Sequence, residues 1–168
     1  MVKSIVIAAF CVLAFAGCGE REILYADHEV FFDYDPEADL ASAEKTLAPG
    51  IYEEQLFRPL EDGDPLHIVA GFQGGIWIHL SVRVTGLRGR GQIEAIIEPG
   101  GETAYTLRLV RTAEGFLEAY DIPVPVGDRG DSMDDVSHLF GSDATLTIRF
   151  TSEDQTVEAT RQVVLERG

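Results

Sequence analysis

From Gln55 onward, apolar and polar residues alternate with a period of two, the mark of strands that set one face against a core. The clearest run is 76–85, where Ile76, Ile78, Leu80, Val82 and Val84 share one face and Trp77, His79, Ser81, Arg83 and Thr85 the other. Similar alternation marks 92–98, 103–111 and 144–151, and 157–165 closes the chain. Shorter runs at 55–60, 66–70 and 116–126 bring the expectation to roughly eight strands, separated by turns containing Gly, Pro and Asp. Pro123 and Pro125 each lack a ladder donor, which predicts an edge position for the 116–126 strand. Segments 145–151 and 156–165 read as a closing hairpin across 152–155.

Upstream the pattern differs. Asp35-Pro36-Glu37 offers an N-cap, a proline at the first helical position and an acid in the first turn. Leu40 and Leu47 stand seven apart, and Pro49-Gly50 is a stop, so a short helix is expected over 36–47. Residues 19–34, rich in charge and poor in turn signals, read as a tether. Many short strands without intervening helices predict an all-β body over 51–168, an antiparallel two-sheet sandwich of immunoglobulin-like type with the short helix before it. A membrane barrel needs strands of about 9–11 residues and an unbroken lipid-facing stripe. Most runs here are shorter, and Arg83, Arg108 and Arg149 occupy their second faces.

The first residues change the picture of where this body works. Lys3, an apolar run from Ile5 to Phe15 and small residues after it form an export signal over 1–17, too short and wrongly flanked for a membrane span. The chain has 13 basic and 29 acidic side chains and a net charge of −16; losing Lys3 with the signal leaves 12 against 29, a net −17 over 151 residues. That charge excludes a nucleic-acid backbone as partner and repels anionic lipid, so membrane residence is expected to depend on acyl chains. Cys11 and Cys18 are the two cysteines, and Cys11 lies in the signal. The body is therefore expected to stand without a disulfide and without a thiolate zinc site.

Phe15-Ala16-Gly17-Cys18 resembles the lipobox of bacterial lipoproteins, with Phe where Leu is usual. The resemblance implies a lipid on Cys18, a tether with its helix over 18–50, and attachment to the cell envelope through acyl chains. Gly19 rather than Asp follows, which by the sorting rule of enteric bacteria implies the outer membrane. Pro59-Leu60-Glu61-Asp62-Gly63-Asp64, then Gly71-Phe72-Gln73-Gly74-Gly75 and Val82-Arg83-Val84, resembles a pattern in uncharacterised predicted lipoproteins of myxobacteria. That family places a histidine two positions after the glycine pair and an aromatic two further on; here Trp77 and His79 stand in the reverse order. The resemblance implies export and a β domain and brings no activity.

Candidate chemistry is sparse. Trp77, His79 and Arg83 share a face and form either a binding strip with an aromatic anchor, or a Trp packed under a loop or second sheet beside a solvated His. The glycines at 71–75 are either a ligand-approaching loop or a wide turn. His67 and His79 on neighbouring strands could share copper or zinc if a third ligand joined them. Asp33, Asp35, Glu37, Asp39 and Glu44 fall on positions 1, 3, 5, 7 and 12 of a calcium loop, though Ala38 replaces its glycine and helix capping explains the same residues. Asp128, Asp131, Asp134 and Asp135 form a second acidic loop, either a weak calcium site or a solvated turn, and it includes Arg129-Gly130-Asp131.

Hydrolase, metalloprotease, dithiol and phosphate-loop motifs do not occur, and Ser137-His138 lack an orienting acid in sequence. The expectation is a lipid-anchored envelope protein that binds an envelope protein or glycan, or serves structurally, without catalysis. The alternatives are a divalent-metal (calcium or copper) binding lipoprotein and an envelope hydrolase using dispersed carboxylates.

Overall fold

The computed structural model describes residues 44–71, 74–128 and 130–168. The expected signal, the lipidation site at Cys18, the tether, Asp33, Asp35, Glu37 and Asp39 lie outside these residues. So does the expected helix, apart from 44–47. Of its residues Thr46 and Leu47 are strand.

The described chain is mostly β, with ten strands: β1 (Thr46–Glu53), β2 (Leu56–Pro59), β3 (Asp64–Ala70), β4 (Ile76–Thr85), β5 (Arg90–Glu98), β6 (Gly101–Arg108), β7 (Val110–Arg111), β8 (Leu117–Pro125), β9 (Asp143–Ser152) and β10 (Gln155–Arg167). Its one helical turn is Ser137–Leu139, and no described helix is long and apolar enough to cross a membrane.

The strands make one curled sheet in the order β2-β1-β4-β3-β10-β9-β5-β6, with β8 on the far edge of β4 and β7 beside β8. β4 is the hub. On one edge it pairs first with β3 (Ala70↔Ile76 to Ile68↔Ile78) and then with β1 (Gly50↔Ser81 to Thr46↔Thr85); on the other it pairs with β8. The closing hairpin forms, with Ser152↔Gln155 next to the turn. The sheet is mixed rather than wholly antiparallel, because β3 runs parallel to β10 (Asp64↔Val163 to Ile68↔Arg167). No hairpin links those two strands, so no turn imposes opposite directions on them.

Alternation explains the interior. Ile78, Leu80, Val82 and Val84 of β4, Ile93 and Ala95 of β5, and Ile148 and Phe150 of β9 are fully buried. A Cβ on Gly91 would collide with the Thr151 backbone carbonyl and stand 2.8 Å from the Phe150 ring, so the glycine lets β9 and its core phenylalanine approach β5 closely. Burying such a ring contributes about 2–3 kcal/mol.

Other features also depart from the sequence expectation. Pro49 and Gly50 do not stop a helix but lie inside β1, where Pro49 faces Val82. The Pro49 carbonyl accepts the Leu60 N–H at 2.9 Å, so its ring nitrogen lies on that same edge and no ladder bond to β4 is lost. The 103–111 run is broken at Leu109 into β6 and β7, which pair with different strands. β8 is not the edge strand expected throughout, since β7 pairs with Leu117 and Glu118, but no described strand pairs beyond the prolines on that side. Val126 donates its N–H to Ile76, so by alternation Pro123 and Pro125 turn their nitrogens away from β4.

Candidate functional site

The outer face of β4 carries Trp77, His79, Ser81, Arg83 and Thr85, as the period-two reading requires. β8 supplies the facing row. Asp121, at φ +57, sits in a β-bulge opposite Leu80–Val82. The bulge inserts one residue, so Glu118 and Tyr120 face outward before it and Pro123 and Pro125 after it.

Trp77 is half-buried beneath the glycine turn: a Cβ on Gly71 would lie 2.6 Å from the indole nitrogen, and one on Gly75 3.1 Å. The turn is held by the Gly71 N–H donating to the Gly75 carbonyl at 2.9 Å. Gly74 and Gly75 adopt φ of +83 and +95. His79 is exposed, its Nδ1 2.5 Å from Asp121 Oδ1, and Ser81 is buried opposite Gly50.

Arg83 is the centre of the face. It stands directly across from Glu118 and donates from Nε to Glu118 Oε1 at 2.6 Å. Its guanidinium lies between two rings, 4.6 Å from the centre of Phe57 and 4.0 Å from that of Phe116, and Glu114 stands 3.9 Å away. The Glu118 side chain is 1% exposed. Its second oxygen accepts the Tyr120 hydroxyl, and Tyr120 packs on Tyr52 with ring centres 4.4 Å apart. Burial first, and the bond to Glu118 second, push the Tyr120 phenol well above its usual range.

Glu118 with both oxygens occupied is a structural counter-ion rather than a base aimed at a substrate. What the cluster does offer is a row of half-buried aromatic edges around a pinned cation, the composition that recognition surfaces favour. The expected strip is thus split: Trp77 lies half-buried beside Gly71 and Gly75, His79 faces solvent with Asp121, and Arg83 is half-buried against Phe57 and Phe116. Tyr52, Phe57, Phe116, Glu118 and Tyr120 were not legible as members, since they come from three other stretches that only the register brings to Arg83.

The expected metal positions are engaged otherwise. Asp131 accepts the Asp128 N–H at 2.7 Å, and Asp135 accepts the Ser132 N–H and hydroxyl at 2.8 and 2.6 Å. The bonds from Ser132 hold the Asp135 carboxyl below its usual range. These are turns closed by their own carboxylates. The Asp134 backbone carbonyl accepts the Ser137 hydroxyl. Glu44 is exposed, and its backbone carbonyl accepts the Thr85 hydroxyl. His67 lies beside Glu166 on β10, while His79 is drawn to Asp121 on the other edge of β4. Among the described residues, no group of three or more His, Cys, Asp or Glu is placed to hold a metal. Compared with known proteins, the chain matches no family model, no curated protein and no solved structure.

Proposed function

We propose that this chain is an exported envelope lipoprotein, acylated at Cys18 and sorted to the outer membrane. On this reading its β body binds a partner protein through the face centred on Arg83 and performs no catalysis. The observation that carries the reading is the Arg83–Glu118 pair set between Phe57 and Phe116 on an outer sheet face, with Tyr120 and Tyr52 alongside. A protein is favoured over a glycan because Gly71 and Gly75 cover the Trp77 indole, the natural stacking platform for a sugar ring.

The same reading takes the curled sheet as an immunoglobulin-like sandwich. Labelling β3 to β10 as A, B, C, C′, D, E, F and G, the rows β3-β4-β8-β7 and β10-β9-β5-β6 become A-B-E-D and G-F-C-C′. The strand order supports that architecture, and architecture alone does not name a partner.

A photo-cross-linking amino acid placed at His79, and another at Glu158 on the opposite face as a control, tests the proposal in intact envelopes. The expected result is one reproducible protein adduct from position 79 and none from 158. Equal labelling at both positions, or turnover of an envelope substrate by the purified protein, would overturn it.

A further inference from the structure

The ten residues of β4 separate the two ends of the body by about 30 Å. At the Ile76 end lie Glu98, Asp128, Asp131, Asp134, Asp135 and Asp143, gathered by the bond from Val126 to Ile76 and the Asp143↔Val164 pair. At the Thr85 end the described chain begins, with Thr85 donating to the Glu44 carbonyl. There Arg111 lies opposite Leu117, which faces Val84, Arg88 reaches Glu153, Glu114 stands near Arg83, and Arg90 and Arg108 follow directly after the bond between Gly89 and Leu109. Acidic side chains thus crowd the Ile76 end, where Arg167 opposite Ile68 is the one described arginine on the neighbouring strands, and arginines crowd the Thr85 end.

Arg90 and Arg108 stand directly opposite each other on β5 and β6, both exposed. Neither is ion-paired with an acid among the described residues. Like charges in register weaken a ladder, and an anion between them reverses the sign of that contribution. The Leu109 N–H donates to the Gly89 carbonyl at 2.6 Å, which extends the same register to Arg88 and the exposed Val110. Arg88 is bound to Glu153 at 3.3 Å.

We infer that this end, through Arg90 and Arg108, docks on anionic lipid headgroups and holds the acidic end away from the membrane. The inference rests on the acylation of Cys18 proposed above. The occupant follows from where the chain comes in: the segment from Cys18 reaches the body at Glu44, beside the arginines. Fully extended, that segment spans at most roughly 3.5 Å per residue, long enough to leave orientation open. The net charge keeps an untethered body off an anionic bilayer. A tether raises the effective concentration to roughly millimolar, and each arginine near the surface then favours the docked orientation about fivefold. The face around Arg83 would then stand along the side of the docked body, open to a partner.

The test uses the chain from Cys18 onward, which contains every described residue and one thiol. Coupling that thiol to a maleimide lipid makes attachment independent of acylation in the cell. Energy transfer to a dansyl headgroup is read from Trp77, the only tryptophan, at the acidic end, and from Thr106→Trp beside Arg108 after subtracting the native signal. On replacing phosphatidylcholine vesicles by ones with one third phosphatidylglycerol, transfer should fall from Trp77 and rise about twofold from position 106. Arg90→Gln with Arg108→Gln should abolish the rise. Transfer falling at both ends, which is simple repulsion, or unchanged at both, overturns the inference. Membrane-extracted protein whose intact mass shows an unmodified Cys18 would instead overturn the proposed anchoring and leave the vesicle result standing.

Discussion

Arg83 and Arg149 are the same side chain used in opposite ways. Both sit mid-strand on an outer face and both bond glutamates on the strand next door, Arg83 to Glu118 and Arg149 to Glu94 and Glu158. The difference is in the walls. Arg83 lies against Phe57 and Phe116 with its side chain 26% exposed and that of Glu118 1% exposed, whereas Arg149 is 45% and Glu94 and Glu158 are 37% and 47% exposed among threonines. An ion pair in water is screened and contributes little; one whose acid is buried costs more to break. The comparison teaches that on this sheet the neighbouring side chains, more than the ion pair itself, decide whether an arginine holds the fold.

The largest effect is expected from Glu118→Ala, which takes from Arg83 its 2.6 Å partner and from the Tyr120 hydroxyl its acceptor, leaving Glu114 at 3.9 Å. It is expected to cost about 3 kcal/mol in urea unfolding. A loss no larger than that of an exposed pair would mean the rings do not exclude water.

Next in size is Tyr120→Phe, which removes one donor from a buried carboxylate and should cost about 1.5 kcal/mol at neutral pH. It also carries a pH signature. The Tyr120 phenol is raised in the folded state, so above pH 10 the unfolded chain releases a proton that the folded chain keeps, and stability falls as pH rises. Tyr120→Phe should flatten that fall, leaving the weaker contribution of Tyr105, which burial also raises. An unchanged alkaline slope would show that Tyr120 titrates freely. The smallest effect belongs to Arg149→Ala, expected to lower stability by less than about 1 kcal/mol despite removing bonds to two glutamates. If it costs as much as Glu118→Ala, the aromatic packing is not what matters.

Much of the fold was legible because strand alternation is a local signal. The run at 76–85 coincides with β4, and the closing hairpin and the outward prolines of β8 follow from adjacent residues. β1 was not legible, since Pro49-Gly50 reads locally as punctuation and becomes strand only because β4 lies on one edge and β2 on the other. Arg83 was visible as a candidate; Glu118 was not, since nothing in Phe116-Leu117-Glu118-Ala119-Tyr120 says which strand it faces.

Local patterning placed most of the strands after β1, their apolar faces and most turns, because a two-residue period and turn chemistry act between neighbours; it missed β1 and the break at Leu109. The tertiary structure alone decided the parallel pairing of β3 with β10, the bulge at Asp121, the packing of Arg83 against Phe57 and Phe116 and the meeting of Arg90 with Arg108. Those features depend on registers between distant strands, set when the whole curled sheet closes on its core, and no short stretch of chain encodes them.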